Sequence, residues 1–145
     1  MPDTIRKQIL TAIATTLDLP AYGMGQVTAY QPSALDMAQW KYPACFVWVQ
    51  DDAAASGDAP DTAIQLEFWK TTIAVEVWGK GDVEEYLGQV HKAMAVDCTW
   101  GALALDTWRK GSDSYEFDPT HQVTGIRILF TLHFRHKSGD PYSLV

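Results

Sequence analysis

Apolar residues return every fourth position near the start of the chain, at Ile5, Ile9, Ile13 and Leu17, with Leu10 and Ala14 broadening the stripe. That spacing belongs to one face of an α-helix. Asp3 or Thr4 stands where a cap is needed, and Pro20 where the helix must have ended. A second stripe, Val83, Leu87, Val90 and Met94, predicts a helix that opens at Asp82 and ends near Val96 or Asp97. Glu84 and Glu85 fall in its first turn, where the helix dipole favours acids.

Elsewhere the period falls to two. Gly23 and Gly25 mark a turn ahead of a short strand over residues 27–30. Residues 44–50 (ACFVWVQ) are aromatic and β-branched with little interruption, which suits a central strand. Within residues 63–80, Ile64, Leu66 and Phe68 alternate on even numbers, whereas Ile73, Val75 and Val77 alternate on odd ones. One side of a sheet cannot hold both sets without a change of phase. The sequence therefore predicts one long strand with a β-bulge between Trp69 and Thr72. Further strands are expected over residues 103–108, 115–117 and 123–134. In the last, Ile126, Ile128, Phe130, Leu132 and Phe134 face one way, and Arg127, Leu129, Thr131, His133 and Arg135 the other. Two helices this far apart do not make a doubly wound parallel sheet. The expectation is a single α+β domain over residues 1–145, with one mainly antiparallel, strongly twisted sheet and two helices packed on one face.

Residues 51–61 (DDAAASGDAPD) break the pattern with four acids, four alanines and no large apolar side chain. Such a stretch buries too little surface to offset its ordering entropy, so a mobile acidic loop is expected at about residues 51–62. It is either a solvated hairpin tip or a segment that orders on a partner. Toward the C-terminus the balance reverses, with Arg127, Arg135 and Lys137 beside His133 and His136. Opposite charges well separated along one subunit suit head-to-tail contact with an identical neighbour. The candidate subunit or partner contacts are thus Asp51, Asp52, Asp58 and Asp61 on one side, and Arg127, Arg135 and Lys137 on the other. Six Trp residues are many for 145 positions, and Trp is enriched where proteins meet. Trp69, at the expected phase change, and Trp78, opposite the alternation of Val75 and Val77, join the candidates.

The formal net charge of -7 argues against a broad basic face for nucleic acid or an anionic membrane. No apolar run approaches the ~18 to 20 residues that cross a bilayer. Met1-Pro2-Asp3-Thr4 lacks the basic-then-apolar order of a signal peptide, so an intracellular protein is expected, with Cys45 and Cys98 as reduced thiols. Catalytic motifs are missing. No Gly-x-Ser-x-Gly frame occurs, and Gly79-Lys80-Gly81 lacks the glycines of a phosphate loop. His91, His121, His133 and His136 form no metal-binding spacing with each other or with the cysteines. No catalytic residue, metal or cofactor is assigned.

The chain ends on a more specific pattern. The strand from Gly125 to Phe134 runs into Phe134-Arg135-His136 and then Gly139-Asp140-Pro141-Tyr142. This ending resembles the small tail terminator or tail completion (minor tail) proteins of long-tailed bacteriophages. The N-terminal Ile/Leu helix, the strand ending in an acidic loop, Ile73-Ala74-Val75-Glu76-Val77-Trp78 and the helix from Asp82 resemble the same family in their order. The resemblance implies a structural protein of the virion, assembled in the host bacterial cytoplasm and turning nothing over. It implies a ring of identical subunits, a hexamer, on the head-proximal end of the tail tube. Its partners would be itself, the tail tube protein and the head-tail connector, and DNA would pass its lumen without specific binding. Two other readings stand beside it. One is a head-tail joining adaptor of the neck; the other is a small intracellular α+β enzyme or ligand-binding domain, which would need a pocket of convergent polar groups.

Overall fold

A computed structural model describes residues 3–32, 34–54, 66–112, 116–119, 122–137 and 140–142. Helix α1 spans Ile5–Leu17, opened by Thr4, whose hydroxyl accepts the Lys7 N–H at 3.1 Å. Its stripe of Ile5, Ile9, Ile13 and Leu17 is entirely buried. A 3-10 turn at Pro20–Tyr22 leads to β1 (Gln26–Thr28), and a 3-10 helix at Ala34–Gln39 leads to β2 (Ala44–Ala54). Then come β3 (Leu66–Gly79), α2 (Val83–Met94), β4 (Ala104–Ser112), β5 (Glu116–Asp118) and β6 (Val123–Lys137). Asp82 caps α2 by accepting the Glu84 N–H at 2.9 Å.

The strands form one sheet in the order β1-β2-β3-β6-β4, with β5 paired to β6 beyond the end of β4. β1 runs parallel to β2 and every other pairing is antiparallel. The result is an α+β fold with a twisted, mostly antiparallel sheet and both helices on one face. The main core lies between sheet and helices. Val75, Val77, Ile73, Ile128, Phe130 and Leu132 meet the α1 stripe and Val90, Ala93 and Met94 of α2 there. A smaller core lies on the opposite face, where Met37, Ala44, Phe46, Trp78 and Val123 pack with half-buried Trp40, Tyr42 and Trp48. The segment between β1 and β2 folds across this end of the sheet and supplies its lid.

Two expectations are corrected here. The bulge predicted between Trp69 and Thr72 is absent, because β3 pairs with β6 without a register shift from Leu66 to Gly79. No change of phase is needed. Odd positions of β3 face the helices, while Trp78 on an even position is buried in the second core. The bulges sit elsewhere, at Gln50 in β2, which pairs with β3, and at Leu105 and Lys110 in β4, which pairs with β6. The acidic stretch, expected to be a loop from Asp51, begins as strand. Asp51, Asp52, Ala53 and Ala54 lie in register with Thr72, Thr71, Lys70 and Trp69. Residues 55–65, with Asp58 and Asp61, lie outside the described residues.

Lengths decide how the sheet is covered. The 14 residues of β3 extend about 46 Å at strand rise, whereas the 13 residues of α1 extend about 20 Å. β3 is therefore more than twice as long as α1, and the covering of its face is shared between α1 and α2. The chain's far end is tied back to its start: the Pro141 carbonyl accepts the Ile5 N–H at 2.9 Å, and Asp140 Oδ1 accepts the Tyr142 N–H at 3.1 Å.

Candidate interaction surfaces

On the face away from the helices, Glu76 is only 6% exposed and lies opposite both Phe46 and Arg127 in register. Its Oε1 accepts the Trp78 indole N–H at 2.6 Å, and its Oε2 accepts Arg127 Nε at 3.4 Å. The Arg127 guanidinium lies 5.2 Å from the centroid of the Trp48 ring. Tyr42 donates its hydroxyl to the Met37 carbonyl at 2.7 Å, and Lys80 Nζ sits 5.5 Å above its ring. Burial, with a smaller push from the Asp118 charge, raises the Tyr42 pKa above its ordinary value. This cluster holds the segment between β1 and β2 against the sheet. A buried carboxylate is stable only where hydrogen bonds and an opposite charge meet it, and here both do.

On the helix face, near the start of α1, lies a half-open cleft of about 200 Å³ lined by Thr4, Arg6, Asp52, Trp69, Phe134 and His136, among others. Arg6 donates to Asp52 Oδ2 at 2.7 Å, and the Thr71 hydroxyl donates to Asp52 Oδ1. Trp69 stacks on His136 with ring centroids 6.2 Å apart and planes inclined by 23°. The cleft is smaller than the ~300 to 1,000 Å³ of usual small-molecule sites. A second cleft of about 160 Å³ lies between the end of α2 and β4, with His91, Met94, Trp108 and Arg109 on its walls. No group of three or more His, Cys, Asp or Glu among the described residues is placed to hold a metal ion. Cys45 is fully buried, which pushes its thiol pKa up, and Cys98 is exposed.

The candidate residues scatter over these features. Asp51 is exposed at the outer part of β2, whereas Asp52 is paired with Arg6. Trp69 is half-buried against the main core and Trp78 is a core residue at 9% exposure. Arg127 is engaged with Glu76, and Arg135 lies half-buried on the face away from the helices, opposite Phe68. Lys137 ends β6. The register brings Asp51, Asp52 and Arg135 toward the same end of the sheet, two strands apart, rather than to opposite ends of the subunit.

None of the candidate residues lies on β4. Its Leu105 and Trp108 are 45% and 39% exposed, and Trp108 meets the His133 ring edge-on at 4.7 Å. Arg109 and Lys110 beside them are exposed as well. The signal in the sequence is mixed alternation, since Leu103, Leu105 and Trp108 cannot all face one side of a sheet.

No family model matches the chain, and no curated protein matches it. Among solved structures, it is similar to a chain of the virion of the native gene transfer agent (GTA) particle. That match has 10% sequence identity, covers 91% of this chain and 92% of the other, and has a TM-score of 0.44.

Proposed function

We propose that this chain is a structural protein of a phage-like tail, a terminator whose ring of subunits caps the head-proximal end of the tail tube. The carrying observation is the ending singled out in the sequence, seen in its fold. The Gly125–Phe134 run pairs with β3 without a register shift and has β4 and β5 on its other side, and the Asp140-Pro141-Tyr142 turn after it hydrogen-bonds the first turn of α1. The order of elements around it, helix, strand, long hairpin, helix and strands, fits the same family pattern. Capping needs no turnover. The ring acts by occupancy, matching the last tube subunits on one face and offering a different face outward, so that no further tube subunit adds. A ring of subunits that each carry -7 repels the DNA backbone, which would let DNA pass without adsorbing.

The test is tube growth. Purified chain added to polymerising tail tube protein should arrest elongation and leave an annulus at one tube end in negative-stain images. Tubes of unchanged length at saturating chain overturn the reading. Binding to the connector with no effect on tube length would place the chain on the neck side instead.

A further inference from the structure

Both outer edges of the sheet lack a strand among the described residues. β1 covers β2 only at Ala44, Cys45 and Phe46, which leaves residues 47–54 unpaired on their outer side. β4 is the far edge along its whole length. Beyond Ala104, whose N–H reaches the Thr99 carbonyl, no backbone bond from a described turn or loop meets β4, and none meets residues 47–54. The Asp106 side chain takes the Thr107 N–H at 2.8 Å. Long free edges invite strand addition, and natural proteins guard them with charges and bulges. Both edges here carry such guards, but with opposite signs. The β2 edge has its bulge at Gln50 followed by exposed Asp51 and Asp52, and the β4 edge has exposed Arg109 and Lys110 at its bulge.

The geometry points to pairing of the β4 edge of one copy with the β2 edge of the next, as the contact between neighbours in the ring; this inference rests on the terminator reading. Three antiparallel steps separate β2 from β4 across the sheet, so the two strands run in opposite directions. A copy placed alongside in the same orientation therefore continues the sheet as an antiparallel ladder. The charges choose between symmetries. Two β2 edges brought together set acid beside acid, whereas the β4 edge, with Arg109 and Lys110 against the single Asp106, is net basic, so the charges favour the mixed contact over a two-fold pairing of β2 edges. The mixed contact brings the acidic end of the β2 edge against the basic end of the β4 edge. Asp51 shares the face of Thr72, away from the helices, and Arg109 that of Phe130, toward them, so the attraction acts between the edges rather than as one Asp51–Arg109 bridge. Asp51, Arg109 and Lys110 have no ion-pair partner among the described residues. A contact between unlike edges is heterologous, the kind that closes into rings. Exposed Leu105 and Trp108 on β4, with half-buried Trp48 and Val49 on β2, supply apolar surface beside the charges.

The experiment uses the whole chain and two charge variants, Asp51→Lys and the double variant Arg109→Glu/Lys110→Glu, with self-association followed by light scattering over a concentration series at low and high salt. Each variant alone should associate at least about tenfold more weakly than the parent chain at low salt. Their equimolar mixture should recover association, because each then offers the edge that the other lacks. Recovery also proves that both variants fold. Variants that associate as the parent does, or a mixture that stays dissociated while both variants keep the parent's circular dichroism, overturn the inference. A parent chain that remains at 16.1 kDa throughout also overturns it, while the tube-growth assay still decides the capping role separately.

Discussion

Asp97 shows how a single exposed side chain can organise a turn. Its carboxylate accepts the Gly101 N–H at 2.8 Å, and the Thr99 N–H and hydroxyl at 2.9 and 2.7 Å. These bonds, with the Gly101 amide foremost, hold its pKa below the ordinary 3.8. The turn needs them, since Trp100, Gly101 and Ala102 all have positive φ, at 51°, 70° and 68°. Only glycine adopts that region freely. Because the folded carboxyl is the stronger acid, the unfolded chain takes up its proton first as pH falls. The contribution is therefore complete above the ordinary carboxylate range and disappears as pH drops through the lowered folded value. Asp97→Ala should lower the urea midpoint at neutral pH and flatten the acid side of the stability profile. A midpoint that follows the parent's at every pH would leave the turn without need of Asp97.

Among the elements, the helices were the most legible in the sequence, because an amphipathic helix writes its burial directly into its spacing. Thr4 and Asp82 fulfil the capping roles their positions suggested. The strands were legible in existence but not in irregularity. The predicted bulge in β3 followed from assuming one apolar face; the ladder to β6 runs without a shift, and Phe68 lies half-buried opposite Arg135 on the face away from the helices instead. Nothing periodic announces the cover of the second core by Trp40 and Tyr42, since residues 29–43 contain neither stripe nor alternation. Asp51 and Asp52 look like loop by composition because the backbone ladder to β3 and the Arg6 ion pair are long-range contacts. The same holds for the free edges, which exist only once strand order is known. One close packing contact between elements yields a sharp test. Gly125 lies opposite Trp78, and a Cβ there would come within 2.5 Å of the indole carbons. Gly125→Ala should cost about 1–3 kcal/mol in equilibrium unfolding, as overpacking does. A loss below a few tenths of a kcal/mol would mean the indole moves aside freely.

At the scale of the molecule, the last described strand in sequence is a central one in space. β6 has β3 along one side and β4 and β5 along the other, so it joins the two halves of the sheet. A chain stopped before Val123 should lack cooperative unfolding by circular dichroism, and a sigmoidal transition in that fragment would show that β1, β2 and β3 stand with the helices alone. This arrangement sets a timetable for synthesis. While the ribosome is still translating β6, β3 has emerged with one apolar edge bare and β4 has nothing to pair with. The nascent chain must wait in that state, exposed to chaperones and to its own siblings on the same message. A central strand made after its neighbours thus withholds the sheet until β6 has been synthesised, and no subunit can offer its edges to a neighbour before that moment.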